Sequence, residues 1–193
     1  MAADLRTQLA NAFPEHDHKL LFYATGRSRP DYNELSVQDT FAKFKVDFLP
    51  LCPLTDKLGR KIKVTEINFR KLLNLKHRML SDQARAWQII KELENGTFNA
   101  ANYEAIELDR IRTLFWVPEV ITDPDAIYKN NHQVVKADEV FVCVYDKPGS
   151  KVKLAFTSTF GTGNDKRVEI VTSYLTDAKT AMYCAKGKPL YQK

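Results

Sequence analysis

The sequence is poor in the residue types that announce covalent or metal chemistry. It has 3 cysteines in 193 residues, Cys52, Cys143 and Cys184, an odd number without paired spacing. Neither a disulfide framework nor a zinc knuckle is expected from them. Its 4 histidines are His16, His18, His77 and His132. Only the first two are close, and His16-Asp17-His18 reads as a solvated loop more readily than as a weak metal site. Glycine is also scarce, at 7 residues. Gly161-x-Gly163 lacks a third glycine and joins two strand-like runs, so it signals a hairpin and not a dinucleotide loop. No nucleophilic triad or P-loop is visible, and neither a metal nor a cofactor is expected. No apolar run approaches the roughly 18 residues of a membrane span. The start, Met1-Ala2-Ala3-Asp4-Leu5-Arg6, lacks the form of a secretory signal. The expectation is a cytoplasmic protein with no membrane association.

What the chain does have is an ordinary core-forming composition and an uneven charge. Hydrophobic residues make up 44% and charged residues 27%, enough at this length to bury a core in one domain or one domain with an appendage. The net charge of +5 is modest, but its distribution is not. Residues 60–91 carry nine basic side chains against two acids, Glu66 and Asp82. Residues 136–193 carry ten against six. Clustered positive charge favours a polyanion such as RNA through counterion release, although a solvated helix face is the plainer alternative.

Patterning along the chain predicts helices first and strands later. Apolar positions Leu5, Leu9, Ala12 and Phe13 recur at helical spacing and stop at Pro14. Ser36 is a cap for a helix through Phe44. Pro50 and Pro53 then break the chain, which suggests an N-terminal helical appendage over residues 1–54 and a main domain over 55–193. Lys61-Ile62-Lys63-Val64 alternates as a short strand. Thr65 caps a helix with an apolar stripe of Phe69, Leu72, Leu73, Leu75, Met79 and Leu80 that carries past His77. A second helix follows Ser81-Asp82 and stops at Asn95-Gly96. A third spans about 100–115. Runs at 138–145, 151–159 and 166–175 read as strands joined by Asp146-Lys147-Pro148-Gly149 and Gly161–Asp165 turns. A last helix is expected over 177–185. The predicted class is α+β, with N-terminal helices packed on a twisted antiparallel β-meander of about four strands.

Several short segments together resemble a known superfamily. They are Asp56-x-x-Gly59-x-x-Ile62-x-Val64-Thr65-Glu66, the Leu75-Lys76-His77 helix end, Leu114-x-Trp116-Val117-Pro118-Glu119-Val120-Ile121-Thr122-Asp123-Pro124-Asp125-x-Ile127, and Ile170-Val171-Thr172-Ser173-Tyr174. Their order resembles the barnase, EndoU, colicin and RelE-like nucleases, and among them the phage-associated subgroup. The resemblance covers residues 54–179. It implies a metal-independent, toxin-like or phage-encoded endonuclease with RNA, for example tRNA, lying over the sheet. It also implies cleavage by 2′-hydroxyl attack to a 2′,3′-cyclic phosphate, in the cytoplasm of a host or target cell, with an inhibitor or a phage or host protein as a further partner.

That chemistry needs a base, cations to stabilise the phosphorane and an acid for the leaving oxygen. Histidine is the side chain type suited to give or take a proton near neutrality, so His77 is the candidate base or acid, with a helix-terminal role as the alternative. Arg110 and Arg112 are candidate phosphate clamps. Thr172, Ser173 and Tyr174 are candidates to position the scissile phosphate. Arg70, Lys71, Lys76 and Arg78, with Lys153 on a strand face, are candidate RNA contacts. Trp116, Tyr128 and Tyr174 are candidate base-stacking rings, with burial in the core as the alternative. The glutamate and histidine pair of barnase and the histidine pair of EndoU are not found in the sequence pattern. A catalytically inactive RNA- or protein-binding member of the same fold, acting as a phage accessory protein, is therefore the second expectation.

Overall fold

The computed structural model describes residues 27–146 and 151–193. The helix expected near residue 9, His16 and His18, and the 147–149 part of the first strand turn lie outside the described residues.

Ser36 caps α1 (Val37–Lys43) by accepting from the Asp39 amide, and a wider turn over Phe44–Phe48 continues it. A short pair, β1 (Leu54–Thr55) and β2 (Lys61–Lys63), leads to α2 (Glu66–Leu72), whose start is locked by a capping box between Thr65 and Asn68. Then follow α3 (Asp82–Glu94), α4 (Leu108–Arg112) and α5 (Val117–Thr122). The strands β3 (Ala126–Asn130), β4 (Glu139–Tyr145), β5 (Lys151–Phe160) and β6 (Arg167–Thr176) come next. After them come α6 (Ala178–Cys184) and β7 (Ala185–Gln192). The β5–β6 turn requires glycine at 161, where φ is +78° and a Cβ would meet the Asp165 carbonyl oxygen.

The class is α+β, but the sheet is not a four-strand antiparallel meander. It is a curled, mixed sheet of seven strands in the order β1-β2-β6-β5-β4-β3-β7. Strands β3 to β6 pair consecutively and antiparallel, and β2 joins β6 in parallel at Val168 and Glu169. Three strands escape the sequence reading: β1 has only two residues, β3 follows directly on Pro124-Asp125, and β7 carries lysines and a glycine.

Both faces of the sheet are covered. On one side Phe41, Phe44, Phe48, Phe69, Leu72 and Trp116 pack with Phe141, Cys143 and Ala155 in one core. The 37–54 segment thus shares the core of the helices and strands that follow it. On the other side Val140, Val142, Leu154 and Phe156 meet Ala178, Ala181 and Cys184 of α6. Two further expectations fail locally. The Thr65-capped helix stops at Leu72, because Asn74 adopts φ 52°. The Leu75 amide reaches back to the Arg70 carbonyl, and that of Asn74 to Lys71, a Schellman termination. Met79 is consequently exposed. The helix expected over 100–115 is broken into short turns around α4.

Candidate functional site: a cationic cleft beside the β6 edge

Strand β2 covers β6 only at Val168 and Glu169, so from Ile170 onward the outer edge of β6 is free of strand pairing among the described residues. A cleft of about 780 Å³ opens there. The C-terminal end of α2 supplies Arg70 and Lys71, the loop after it Asn74 and Lys76, and α4 with its preceding residue Arg110 and Glu107. The β3–β4 loop adds His132 and Lys136, and β6 adds Thr172 and Tyr174. Five cations, Arg70, Lys71, Lys76, Arg110 and Lys136, thus face one carboxylate, Glu107.

Arg110 is the fixed point of this site. Its Nε donates to Glu107 Oε2 at 2.6 Å, and Nη1 donates to Thr172 Oγ1 at 2.6 Å and to the Ser173 carbonyl at 3.3 Å. Its guanidinium lies 5.4 Å from the centre of the Tyr174 ring. Nη2 makes no hydrogen bond among the described residues, so one edge of a pinned planar cation remains for an anion. Lys76 and Lys136 make no side-chain hydrogen bond or ion pair among the described residues.

Glu107 is held ionised. Burial raises its pKa, but hydrogen bonds from Arg110 and Asn74, with the charge of Lys76, more than offset this and leave it below the ordinary range. His132 accepts the amide N–H groups of Val134 and Val135 at Nδ1, at 3.1 and 3.0 Å. That commits the Nδ1 lone pair and leaves Nε2 as a hydrogen-bond donor. The Tyr174 ring stacks on Phe156 and meets the edge of His132. Burial, with the neighbouring Cys184 thiol, pushes its phenol well up, so Tyr174 stays protonated.

The cleft therefore gathers Arg70, Lys71, Lys76, Arg110, Thr172 and Tyr174 from the sequence candidates. The others lie elsewhere. His77 is buried at 8% exposure, pairs with Tyr103 outside any helix, and accepts the Met79 amide at Nδ1. The Schellman turn at Asn74 sends it into the core instead of ending a helix. Arg112 points the other way and pairs with Glu34 at 3.3 Å, since it stands two residues from Arg110 on a helix. Ser173 is buried and donates to the Leu154 carbonyl at 2.7 Å. Arg78 is exposed but does not line the cleft.

Lys153 does not stand on an open strand face. It is 1% exposed and donates to Thr113 Oγ1 at 2.8 Å, because the face it shares with Cys143 and Ala155 is roofed by helices and is not open to RNA. Burial, then the nearby Arg110, drives its pKa well below the lysine range. Trp116 and Tyr128 are core, and the Trp116 indole donates to the Asp31 carbonyl at 3.0 Å.

Glu107 lies far along the chain from His132 and Lys136, and all three escape a reading of the sequence because they sit in segments without periodicity. Asn74 is the one local signal, as asparagine favours the left-handed conformation. Among the described residues no group of acidic, histidine or cysteine side chains has the spacing to hold a metal ion, and no helix is long and apolar enough to cross a membrane. No family model, curated protein or solved structure matches this chain.

Proposed function

We propose that the protein is a metal-independent endoribonuclease that works in the β6-edge cleft. The observation that carries the reading is a pinned arginine in a cleft of five cations against one carboxylate, with Lys76 and Lys136 making no side-chain hydrogen bond or ion pair among the described residues. A phosphodiester is the natural occupant of such a site, because each oxygen can find a charge-assisted donor. Glu107 takes the 2′-hydroxyl proton as the 2′-oxygen attacks phosphorus. Arg110 and the Nε2–H of His132 stabilise the phosphorane. The departing 5′-oxygen receives its proton from one lysine ammonium of the cleft, which is left as the neutral amine. The products are a 2′,3′-cyclic phosphate and a free 5′-hydroxyl.

One observation favours a second reading, RNA binding without cleavage. Both Glu107 oxygens are already occupied, one by Asn74 and one by Arg110, which weakens the carboxylate as a base. Incubation of the protein with RNA in excess chelator, followed by sequencing of product ends, separates the two. Cyclic phosphate ends that disappear in Glu107→Gln, with RNA affinity kept, support the nuclease. Intact RNA with steeply salt-dependent binding supports the second reading. Intact RNA and no such binding overturns both.

A further inference from the structure

A second groove lies further along the same strand and helix. It has a volume of about 860 Å³ and is lined by Lys166 just before β6, by Arg167 and Val168 on β6, and at the start of α2 by Thr65 and Glu66. Its floor is apolar, made by Leu49, Cys52, Pro53, Val64 and Val168. Its rim is cationic. Lys61, Lys63 and Lys166 are exposed there, with Lys61 donating to Thr55 Oγ1 at 2.8 Å, while Arg167 pairs with Glu169 at 2.5 Å and Arg60 is already neutralised by Asp56 and Glu139. The one carboxylate of the lining, Glu66, is engaged by Lys45 at 3.1 Å. Lys63 and Lys166 make no side-chain hydrogen bond or ion pair among the described residues. The rim therefore holds positive charge with no internal use.

An apolar floor under a cationic rim fits a nucleotide, with the base laid on the floor and its phosphates on the lysines. The groove and the cleft share two elements, α2 and β6, and no lining residue. Glu66 lines one and Arg70 the other, about 6 Å apart along the α2 axis at 1.5 Å per residue. Val168 lines one and Val171 the other, about 10 Å apart along β6. Lys71, from the cleft, lies over the Phe160 ring at 5.9 Å and puts a further cation beside the β5–β6 turn.

We infer that the second groove is an extended-strand subsite: single-stranded RNA held at the β6-edge cleft continues along α2 and β6 and seats a flanking nucleotide there. This inference rests on the reading of the cleft as an RNA site. It makes the substrate an unpaired segment several nucleotides long, because the strand edge and the helix leave each base exposed to the protein.

The test uses the full chain and 2′-O-methyl oligonucleotides, which cannot be cleaved by 2′-hydroxyl attack, of about 4 and about 12 nucleotides, lengths that bracket ordinary single-strand sites. Affinity is measured by fluorescence anisotropy over a salt series. The longer probe should bind more tightly. The Lys63→Glu/Lys166→Glu variant, altering two exposed side chains outside the core, should lose about tenfold in affinity for it, with a salt slope shallower by about 0.7 for each phosphate no longer neutralised. The shorter probe should be unaffected by that variant and weakened by Arg110→Ala. Equal affinity for both lengths, or an unchanged longer probe in the double variant, overturns the subsite and leaves the cleft reading standing. Failure of wild-type protein to bind either probe overturns both.

Discussion

Arg27 and Arg110 are both half-hidden arginines that bind carboxylates, and they teach opposite lessons. Arg27 meets three: Glu119 at 2.7 Å, Asp123 at 3.2 Å and Asp125 at 2.5 Å. Lys57 and Lys193 then neutralise the Asp123 edge. Burial works against the Arg27 charge, but hydrogen bonds to Glu119 and Asp125 outweigh it and push its pKa up. Its backbone bridges β4 through Val144 and Asp146. Everything there is mutually satisfied, so the cluster fastens the residues before α1 to β4 and to the turn before β3. Arg110 has one carboxylate among five cations and keeps a free donor edge. Charge that is fully answered within the chain serves the fold, whereas charge not answered there is what the proposed RNA site relies on.

The largest effect that would break this comparison is on Arg110. Arg110→Ala should lower RNA cleavage by about 100-fold, or RNA affinity comparably if the protein only binds, as for loss of one donor to a developing oxyanion. Arg110→Lys should not rescue it, because a single ammonium cannot hold Glu107 and Thr172 and still present a planar edge. Rates on a fluorogenic oligonucleotide check both. Retained activity in Arg110→Ala would make Arg110 a structural residue of the same kind as Arg27.

Arg27→Ala comes next and should act on stability alone. It leaves three neighbouring carboxylates without their shared cation, a loss of roughly 2 kcal/mol for a partly buried cluster. Urea denaturation measures it, and RNA affinity of the folded variant should stay within twofold. A variant as stable as wild type would show that Lys57 and Lys193 suffice.

Much of this contrast is hidden in the sequence. The caps at Ser36 and Thr65, the last helix, the β5–β6 turn and the strand alternation of β4 to β6 are legible because they depend on neighbours in the chain. The cationic character of residues 70–76 and of Arg110 is legible as charge. The partners are not: Glu107 pairs with Asn74 across 33 positions and Arg110 with Thr172 across 62. Nor does alternation say whether a strand face is roofed, so Lys153 reads as a surface residue and His77 as a helix end. Packing decides the first and the turn at Asn74 the second, and neither is a property of the neighbouring residue types.

Lys153 sharpens the comparison from inside the core. A lysine whose folded pKa lies below its unfolded value binds a proton more readily when unfolded. Its contribution to stability therefore rises with pH between the two values and is unfavourable near neutrality. Lys153→Met should stabilise the protein by about 1 kcal/mol at neutral pH, since a buried cation is replaced by an apolar side chain of similar length. Thr113 keeps its hydroxyl bond to the Asp109 carbonyl at 2.5 Å. Urea midpoints between neutral and mildly alkaline pH should rise for wild type and be flatter for the variant. Parallel curves would mean that Lys153 stays charged through its hydroxyl partner and the field of Asp109.

The smallest expected effect separates the two histidines by location. His77 sits edge-on to Tyr103 at 5.3 Å and ties down the Met79 amide, while His132 lines the cleft and uses Nδ1 to hold its own loop. His77→Ala should cost about 1 kcal/mol of stability through poorer packing and one unsatisfied amide, with RNA affinity unchanged. His132→Ala should do the reverse in kind, weakening RNA binding several-fold while the urea midpoint moves less. Abolished cleavage in a stably folded His77→Ala would return the catalytic role to the residue the sequence favours. It would require the Tyr103 pairing to open in solution, because a ring at 8% exposure cannot otherwise reach a phosphodiester.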